Sequence, residues 1–399
     1  MAAIYDEYSN KAIQLVKEFI DKYGPRVSGT KGNLDAANEL EAIVGKTCSQ
    51  TVREKLVIYP NSLFSIGRIF SISYLIGLAA VLSNNKIIIL IGFLIMLLGV
   101  IFCVSQFILY SDIFDKLFKG VEGNNIIGYL EPKQEAQEQI IIVGHHDSSY
   151  IYPFHERLPK LFPFRLFTPI VLYIAEFLIL VLSIFNIWQS MLWSSLILVI
   201  GLVFVAPMFW YISRKPGPGA GDNLIGCAIG ISIMEIFYKQ NLNNTRLVLL
   251  LSDGEEVGQK GSHDFVTKNL KLLRDIKTKV ISIDSIYAMD HITLLSSDRN
   301  GFSKLSEKLN KELEVIFLEK GCKAKIQPMP FGGGGTDAGQ FARKGVESAS
   351  IIGMSTSTFR SEILIHTSKD MPERINRDAV GCVIEIVSEY IKKNDMRLN

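Results

Sequence analysis

A histidine and an acidic residue stand together after an apolar run in the first half of the chain. Residues 140–143 are followed by Gly144-His145-His146-Asp147. His145 and Asp147 are two positions apart, so they share one face of the chain if the extended geometry continues. In such a pair, one side chain can bind a metal ion while the other orients it. The spacing alone is a weak signal, since a histidine in a strand-end turn is more often an ordinary polar residue.

Further acids and a second histidine follow other apolar runs or precede helical patterns. They are Asp222 after the glycine-rich residues 216–221, Glu255 and Glu256 after residues 246–252, Asp284 after residues 279–283, and His366 before the last helical pattern. Each has an ordinary interpretation, such as a helix cap for Asp222 or a solvated acidic turn for the two glutamates. Asp284 differs, because a charge at the end of an apolar strand is costly without a partner.

The combined set has the composition of a dinuclear metal site. It supplies two histidines and three carboxylates, with one glutamate to spare. If Asp222 bridges two Zn²⁺ ions, each ion gains one histidine and one further carboxylate, and a shared hydroxide completes the tetrahedra. The four positive charges then balance three carboxylates and one hydroxide. Co²⁺ suits the same ligands.

Alternating strand-like and helix-like patterns position these residues. Short, doubly apolar runs between helical patterns indicate an α/β sheet covered on both faces, where ligands bind beyond the carboxyl ends of strands. The strand-like runs are residues 55–59, 125–130, 139–144, 246–252, 279–283 and 348–353, and the helical patterns are residues 9–23, 224–239, 262–273, 303–318 and 374–393. The first helix is predicted to be capped by Ser9 and to end before Gly24-Pro25.

The order of these motifs resembles the M28 family of zinc exopeptidases, of the aminopeptidase Y and bacterial leucyl aminopeptidase type, over essentially all of the polar sequence. The resemblance implies a three-layer α/β/α domain with a mixed, mostly parallel central sheet. It implies that His145 and Asp284 hold one zinc, that Glu256 and His366 hold the other, that Asp222 bridges them, that Glu255 is the general base, and that Asp147 stands behind the first histidine. It also implies a cis peptide after Asp222 and a substrate-pocket segment at residues 332–337.

Composition limits the class of protein. The 399 residues are 48% hydrophobic, and the net charge is +2. A net charge this small does not indicate a nucleic-acid partner. The five cysteines form no CxxC pair and are predicted to be reduced, buried thiols. The acidic N-terminus lacks the apolar run of a secretory signal.

Many of the hydrophobic residues are concentrated in two predicted hairpins. Each hairpin contains two apolar segments long enough to cross a bilayer. We predict transmembrane hairpins at residues 66–111 and 166–213, with their turns near residues 83–86 and 188–190. Residues 1–65, 112–165 and 214–399 then form one discontinuous domain. Basic residues flank the domain side, whereas only Lys86 lies in the opposite turns, so we expect a multi-pass protein whose catalytic domain is cytoplasmic. The alternative is a soluble protein in which these helices are buried.

Several functional alternatives stay open at this stage. A peptide substrate and a lipid bilayer are the expected partners, and the oligomeric state is not predicted. A carboxypeptidase, dipeptidase or amidohydrolase would use the same metals and need a cationic carboxylate anchor, for which Arg343, Lys344 and Arg360 are available. A non-catalytic membrane receptor or scaffold is the other alternative.

Two features of the hairpins bear on the substrate. Glu176, inside a predicted span, either marks a substrate path or packs against a Tyr or Ser of a neighbouring helix. Because the hairpins feed directly into the segments of His145 and Asp222, the bundle is hypothesised to present membrane-associated peptides. The remaining histidines, His146, His155, His263 and His291, are interpreted as structural or surface residues.

Overall fold

The computed structural model describes residues 3–187, 191–357 and 359–398, and over these residues nine strands form one sheet. The strands are β1 (Gln50–Ile58), β2 (Val121–Leu130), β3 (Glu138–His145), β4 (Thr245–Ser252), β5 (Lys277–Ile286), β6 (Thr293–Asp298), β7 (Ser303–Lys304), β8 (Lys325–Pro328) and β9 (Glu347–Gly353). Their order is β1-β2-β4-β3-β5-β9-β6-β7, with β8 paired to β6.

The sheet is mixed, as expected, but it contains fewer parallel strand pairs than the mostly parallel sheet that the sequence analysis predicted. The four central strands β4, β3, β5 and β9 run parallel. The pairs β1–β2, β2–β4, β6–β9 and β6–β7 are antiparallel. β8 pairs with β6 in parallel. β6, β7 and β8 come from segments that lack a continuous apolar run, and for this reason they were not predicted.

Helices cover both faces of the sheet and form a separate bundle. They are α1 (Ala3–Tyr23), α2 (Lys31–Val44), α3 (Pro60–Phe64), α4 (Ile66–Ser83), α5 (Lys86–Cys103), α6 (Pro153–Glu156), α7 (Phe162–Ile184), α8 (Met191–Val205), α9 (Ile225–Gln240), α10 (Lys260–Lys268), α11 (Leu270–Asp275), α12 (Glu307–Glu319), α13 (Ala338–Arg343) and α14 (Arg377–Met396). Ile140 and Ile142 of β3 pack in one apolar cluster with α1, α9 and α14, whereas Ile141 and Val143 pack in another with α10 and α13. The alternation along a buried strand therefore produces the three α/β/α layers.

Helices α4, α5, α7 and α8, which we call the apolar bundle, lie where the two hairpins were predicted. Five helices among the described residues are long and apolar enough to cross a membrane by length and composition. Four of them belong to the apolar bundle, and between 28% and 44% of each is buried inside the protein. The fifth, at Ala220–Gln240, is 94% buried and belongs to the α/β domain. The predicted turn at residues 188–190, including Trp188, lies outside the described residues.

Local details correct some of the sequence predictions. Ser9 lies inside α1 and donates to the carbonyl of Asp6, so it does not cap the helix. The predicted helix at residues 262–273 is divided into α10 and α11, and α2 was not predicted. All five cysteines are free, but only Cys227 and Cys382 are buried, while the other three are half-buried.

Candidate metal centre

The predicted ligands meet because parallel strands end at one edge of the sheet. His145 is the last residue of β3 and pairs in register with Ser252, the last residue of β4. Glu255 and Glu256 begin a short 3₁₀ turn just after β4. Asp284 lies near the end of β5, which runs parallel to β3 on its other side.

His145 faces a first group of carboxylates. Its Nε2 atom lies 3.5 Å from Asp222 Oδ1 and 3.7 Å from Asp284 Oδ2. The side chain of His145 is fully buried, and those of Asp222 and Asp284 are less than one-tenth exposed. These three residues form a group that could hold a metal ion.

His366 faces a second group, which shares Asp222 with the first. Its Nε2 atom lies 3.2 Å from Asp222 Oδ2 and 2.9 Å from Glu256 Oε2. Asp222 therefore turns one carboxylate oxygen to each histidine. His366, Asp222 and Glu256 form the second group that could hold a metal ion.

Both groups fit zinc by their distances and their donor atoms. Zinc–nitrogen and zinc–oxygen bonds of about 2.0–2.2 Å in a tetrahedron separate neighbouring ligand atoms by about 3.4 Å. The observed separations of 2.9–3.7 Å lie around that value. His145 Nε2 and Glu256 Oε1 are buried without a hydrogen-bond partner, which is rare unless an ion or ligand satisfies such atoms.

The protonation of the cluster also favours a cation. Burial, with a further contribution from Asp222, raises the pKa of Asp284 to about 8 against the opposing effect of His145. Burial likewise raises the pKa of Glu255 well above its usual value. For His366, burial acts to lower the pKa, but Glu256 and Asp222 outweigh it and raise the pKa to about 10. Acids crowded in this way favour divalent cations, whose charge replaces that of the protons.

Asp147 positions the cluster through three contacts. Its Oδ1 lies 3.3 Å from His145 Nδ1 and accepts the backbone N–H of Glu255 at 3.2 Å. Its Oδ2 accepts the backbone N–H of Glu256 at 3.3 Å. One buried carboxylate thus orients the histidine of the first group and fixes the turn that carries both glutamates.

The Asp222 segment is held by residues whose role the sequence analysis did not identify. Asp370 accepts the backbone N–H groups of Gly221 at 2.7 Å and Asp222 at 3.2 Å. Arg26 is fully buried and donates to the carbonyls of Pro218, at 3.0 Å, and Gly219, at 2.6 Å. The peptide bond after Asp222 is cis, as the family resemblance implied. Neither Asp370 nor Arg26 lies in a motif whose spacing would have indicated this contact.

A cavity of about 390 Å³ opens above the cluster. Its floor contains Asp222, Glu255, Glu256, Asp284 and His366. Residues 332–336 of the predicted pocket segment also line it, whereas Asp337 lies behind them and accepts a hydrogen bond from Ser252 Oγ at 2.6 Å.

Of the candidate carboxylate anchors, Arg360 alone is among the described residues that line the cavity. Arg343 lies elsewhere and donates to the carbonyl of Leu109. Glu176, of α7, is fully buried with its carboxylate close to Gly77 of α4, and it is not among the described residues of the cavity lining. The substrate-path interpretation of Glu176 therefore gains no support from the cavity.

His155 belongs to the cavity, which its sequence context did not indicate. Its ring stacks on that of His366 with centroids 5.6 Å apart, and its Nδ1 lies 3.1 Å from the carbonyl of Ile365. Burial, together with the neighbouring His366, lowers the pKa of His155 to about 3. His155 therefore stays neutral and supports the outer side of His366. His146 is structural, as predicted, and its Nε2 lies 2.8 Å from the carbonyl of Asn124.

Residues 206–391 match the model of Peptidase family M28. No curated protein matches the chain. Among solved structures, the chain is similar to a glutaminyl cyclase from Porphyromonas gingivalis, with a TM-score of 0.59 and 12% identity over 97% of this chain and 98% of that one. It is also similar to a Zn-dependent exopeptidase from Parabacteroides distasonis (TM-score 0.57, 14% identity, 96% and 97% covered). A leucine aminopeptidase precursor from Bacteroides thetaiotaomicron is a third (TM-score 0.55, 13% identity, 96% of each chain covered). Identities this low establish the shared α/β fold with a mixed sheet and nothing finer.

Proposed function

Because residues 206–391 carry a Peptidase family M28 domain, we propose that the chain is a membrane-anchored dinuclear zinc metallopeptidase that removes N-terminal residues from peptides. The observation that carries this proposal is the pair of ligand groups that share Asp222, with Glu255 beside them. His145, Asp222 and Asp284 would hold one zinc, and Asp222, Glu256 and His366 the other. Bound zinc would supply an acidified water and polarise the scissile carbonyl.

Glu255 is the residue that would move the proton. Its carboxylate lines the cavity and lies 3.8 Å from His145 Nε2, yet it belongs to neither ligand group. Its backbone is fixed by Asp147, so the side chain is held at the floor of the cavity. Glu255 would take a proton from the attacking water and pass it to the leaving amine. The surrounding carboxylates favour a substrate that presents a free amino group.

Membrane anchoring by the apolar bundle is part of the proposal. Its four helices satisfy the length and hydropathy of membrane spans, and large apolar side chains such as Leu98, Val171 and Trp193 are exposed on its surface. Exposure of this kind is unfavourable in water and favourable in lipid. The excess of basic residues on the domain side supports a cytoplasmic location for that domain.

Cyclisation of N-terminal glutamine is the second candidate, because a solved glutaminyl cyclase covers nearly all of this chain. In that reaction the substrate's own amine would attack its side-chain amide, and ammonia would leave. Glu255 would carry the proton from the amine to the ammonia, and no water would be consumed. A carboxypeptidase is a third outcome to test, since Arg360 lines the cavity and could bind a C-terminal carboxylate.

Mass spectrometry of one peptide mixture separates these reactions. Full-length protein in detergent is incubated with zinc and defined peptides, some of which begin with glutamine. Products shortened from the N-terminus are expected. Loss of ammonia without shortening would identify the cyclase, and products shortened from the C-terminus would identify a carboxypeptidase.

Two variants test the assigned base. Glu255→Gln should retain its metal, measured by elemental analysis, and lose turnover by about 10²-fold or more, as removal of a general base does. Glu135→Gln changes an exposed glutamate far from the site and is the matched control. Full activity of Glu255→Gln would refute the role of Glu255. Absence of any product from the zinc-loaded wild type would refute the enzymatic proposal and favour a receptor or scaffold.

A further inference from the structure

The cavity above the metal centre continues into the apolar bundle. Two helices from different hairpins, α5 and α7, line its apolar part together with other apolar residues such as Phe70 of α4 and Met208. The wall residues that matter here are Val100, Cys103 and Val104 of α5 and its continuation, and Leu166, Ile170 and Ile174 of α7. All are apolar, whereas the floor is made of carboxylates and a histidine. One cavity thus joins a reactive polar end to an apolar end.

Helices α5 and α7 touch at one level and are apart below it. They pack through Phe93 and Phe177, with ring centroids 5.2 Å apart, and through a hydrogen bond from the Tyr173 hydroxyl to the Met96 carbonyl. Closer to the α/β domain, both helices line the cavity instead. From Leu166 to Ile174 the cavity follows eight residues of α7, which is about 12 Å of helical rise.

The apolar part of the cavity is lined by residues that are also exposed on the surface of the bundle. Val104 and Ile174 line the cavity and are 37% and 54% exposed. The same two helices carry Leu98 and Leu178, which are 62% and 53% exposed on the bundle surface. An apolar molecule could pass between these surfaces without contacting a charged group, provided that the bundle lies in lipid.

We propose that the substrates are amphiphilic peptides that carry a long apolar chain close to the scissile bond, and that this chain lies between α5 and α7. This inference rests on the peptidase function proposed above and names its substrate class. Each further methylene buried against apolar side chains strengthens binding, so a chain that fills the wall region is expected to increase kcat/KM by at least about tenfold. The volume of about 390 Å³ is within the range of small-molecule sites, about 300–1,000 Å³.

Hydrolysis of peptides with graded alkyl chains tests the proposal on the full-length protein. One series carries the chain on the first residue and a second series carries it on the second residue, all in the same detergent. We expect kcat/KM to rise by at least about tenfold from the shortest to the longest chain in at least one series. Cleavage of the short peptides with no effect of chain length in either series would overturn this inference and leave the peptidase proposal standing. Absence of cleavage of every peptide would reject both.

Tryptophan substitutions test where the alkyl chain of the substrate lies. Cys103→Trp and Ile170→Trp place bulk in the wall and should reduce the ratio of long-chain to short-chain kcat/KM by about tenfold. Ile101→Trp and Leu178→Trp, on the exposed faces of the same helices, are the matched controls and should leave the ratio unchanged. An equal ratio in wall and control variants would place the chain elsewhere and overturn the inference.

A binding measurement makes the result independent of turnover. A fluorescent long-chain alkyl amide is titrated into zinc-loaded Glu255→Gln protein, combined in turn with each wall substitution and each control substitution. The two wall variants should weaken its binding by about tenfold relative to the two control variants. Equal binding by all four would contradict a chain site between α5 and α7.

Discussion

The floor and the wall of one cavity are built by different forces. Floor residues come from strand ends and short turns, and buried hydrogen bonds fix them, such as those that Asp147 accepts from the backbone of Glu255 and Glu256. Wall residues such as Val100 and Ile170 come from helices that apolar packing holds in place. Hydrogen bonds fix positions to fractions of an ångström, whereas packed apolar surfaces tolerate changes of shape and size.

The floor and the wall are separate in the fold, although a hairpin of the wall interrupts the floor in sequence. The second hairpin lies in sequence between Asp147 and Asp222, which contribute to the same site. The ends of this insertion are tied together beside the α/β domain by hydrogen bonds from Ile151 N to the Lys215 carbonyl and from Ser213 N to the Ile151 carbonyl. The insertion therefore leaves the domain and returns at nearly the same place. With this arrangement, changes in the wall can alter which substrates are preferred and leave the groups on the floor unchanged.

The largest expected effect is the loss of turnover in Asp222→Ala. Asp222 is the carboxylate shared by both ligand groups, so its removal should weaken both metal sites and abolish hydrolysis of short and long-chain peptides alike. The wall variants should instead change the ratio between those substrates. Elemental analysis and peptide turnover provide the two measurements.

Asp290→Ala, which removes an exposed carboxylate of the same domain, is the control. Preferential loss of long-chain turnover in Asp222→Ala would show that floor and wall are not separable, and would break the comparison.

A smaller effect is expected for Asp370→Ala, because Asp370 is not in either ligand group and only holds the segment that carries Asp222. Asp370 contacts the backbone of Gly221 and Asp222, so its loss should loosen the position of the shared ligand. Residues that orient metal ligands typically contribute about 10–100-fold in metal affinity. We expect a zinc affinity reduced by that factor, measured by chelator competition, and turnover that excess zinc restores. A turnover defect that persists at saturating zinc would instead assign Asp370 to the chemistry.

The same division explains how much the sequence could predict. The floor was predictable because His145, Asp222 and the two glutamates follow recognisable strands or turns, and parallel strands end at one edge. The contacts of Asp370 and Arg26 were not, because neither residue belongs to a local pattern. The apolar helices were predictable from hydropathy, since length and composition are properties of single segments. The space between α5 and α7 depends on how two distant helices pack, and no single segment encodes it.

Glu176 and His155 show in opposite ways what residue type and spacing cannot predict about the site. Glu176 is the conspicuous acid of the apolar segments, yet it is buried against α4, outside the described cavity lining. His155 has no metal-site spacing, yet it stacks on His366. Residue type and spacing therefore identified the side chains that the structure gathers into two candidate ligand groups, and missed the residues that only packing places beside them.

The smallest effect, on stability and not on turnover, is expected at the strip where floor and wall meet, which residues 332–336 form. Asp298 holds this strip by accepting hydrogen bonds from Thr336 N at 2.9 Å and Thr336 Oγ1 at 2.8 Å. Burial raises the pKa of Asp298 to about 6, although these bonds oppose the shift. Its ordinary pKa is about 3.9, so the folded protein binds a proton more tightly than the unfolded chain.

This shift gives Asp298 a pH-dependent contribution to stability with a definite sign. The contribution is favourable below about pH 4 and is lost as the pH rises through about 6, because the folded state must then give up a proton that it holds tightly. Asn can accept the same backbone hydrogen bond without titrating. Thermal unfolding of Asp298→Asn and wild type at several pH values should therefore show the relative stability of the variant increasing between about pH 4 and 6 and constant above that range. A stability difference that does not change between about pH 4 and 6 would mean that folding does not raise the pKa of Asp298, and would contradict this prediction.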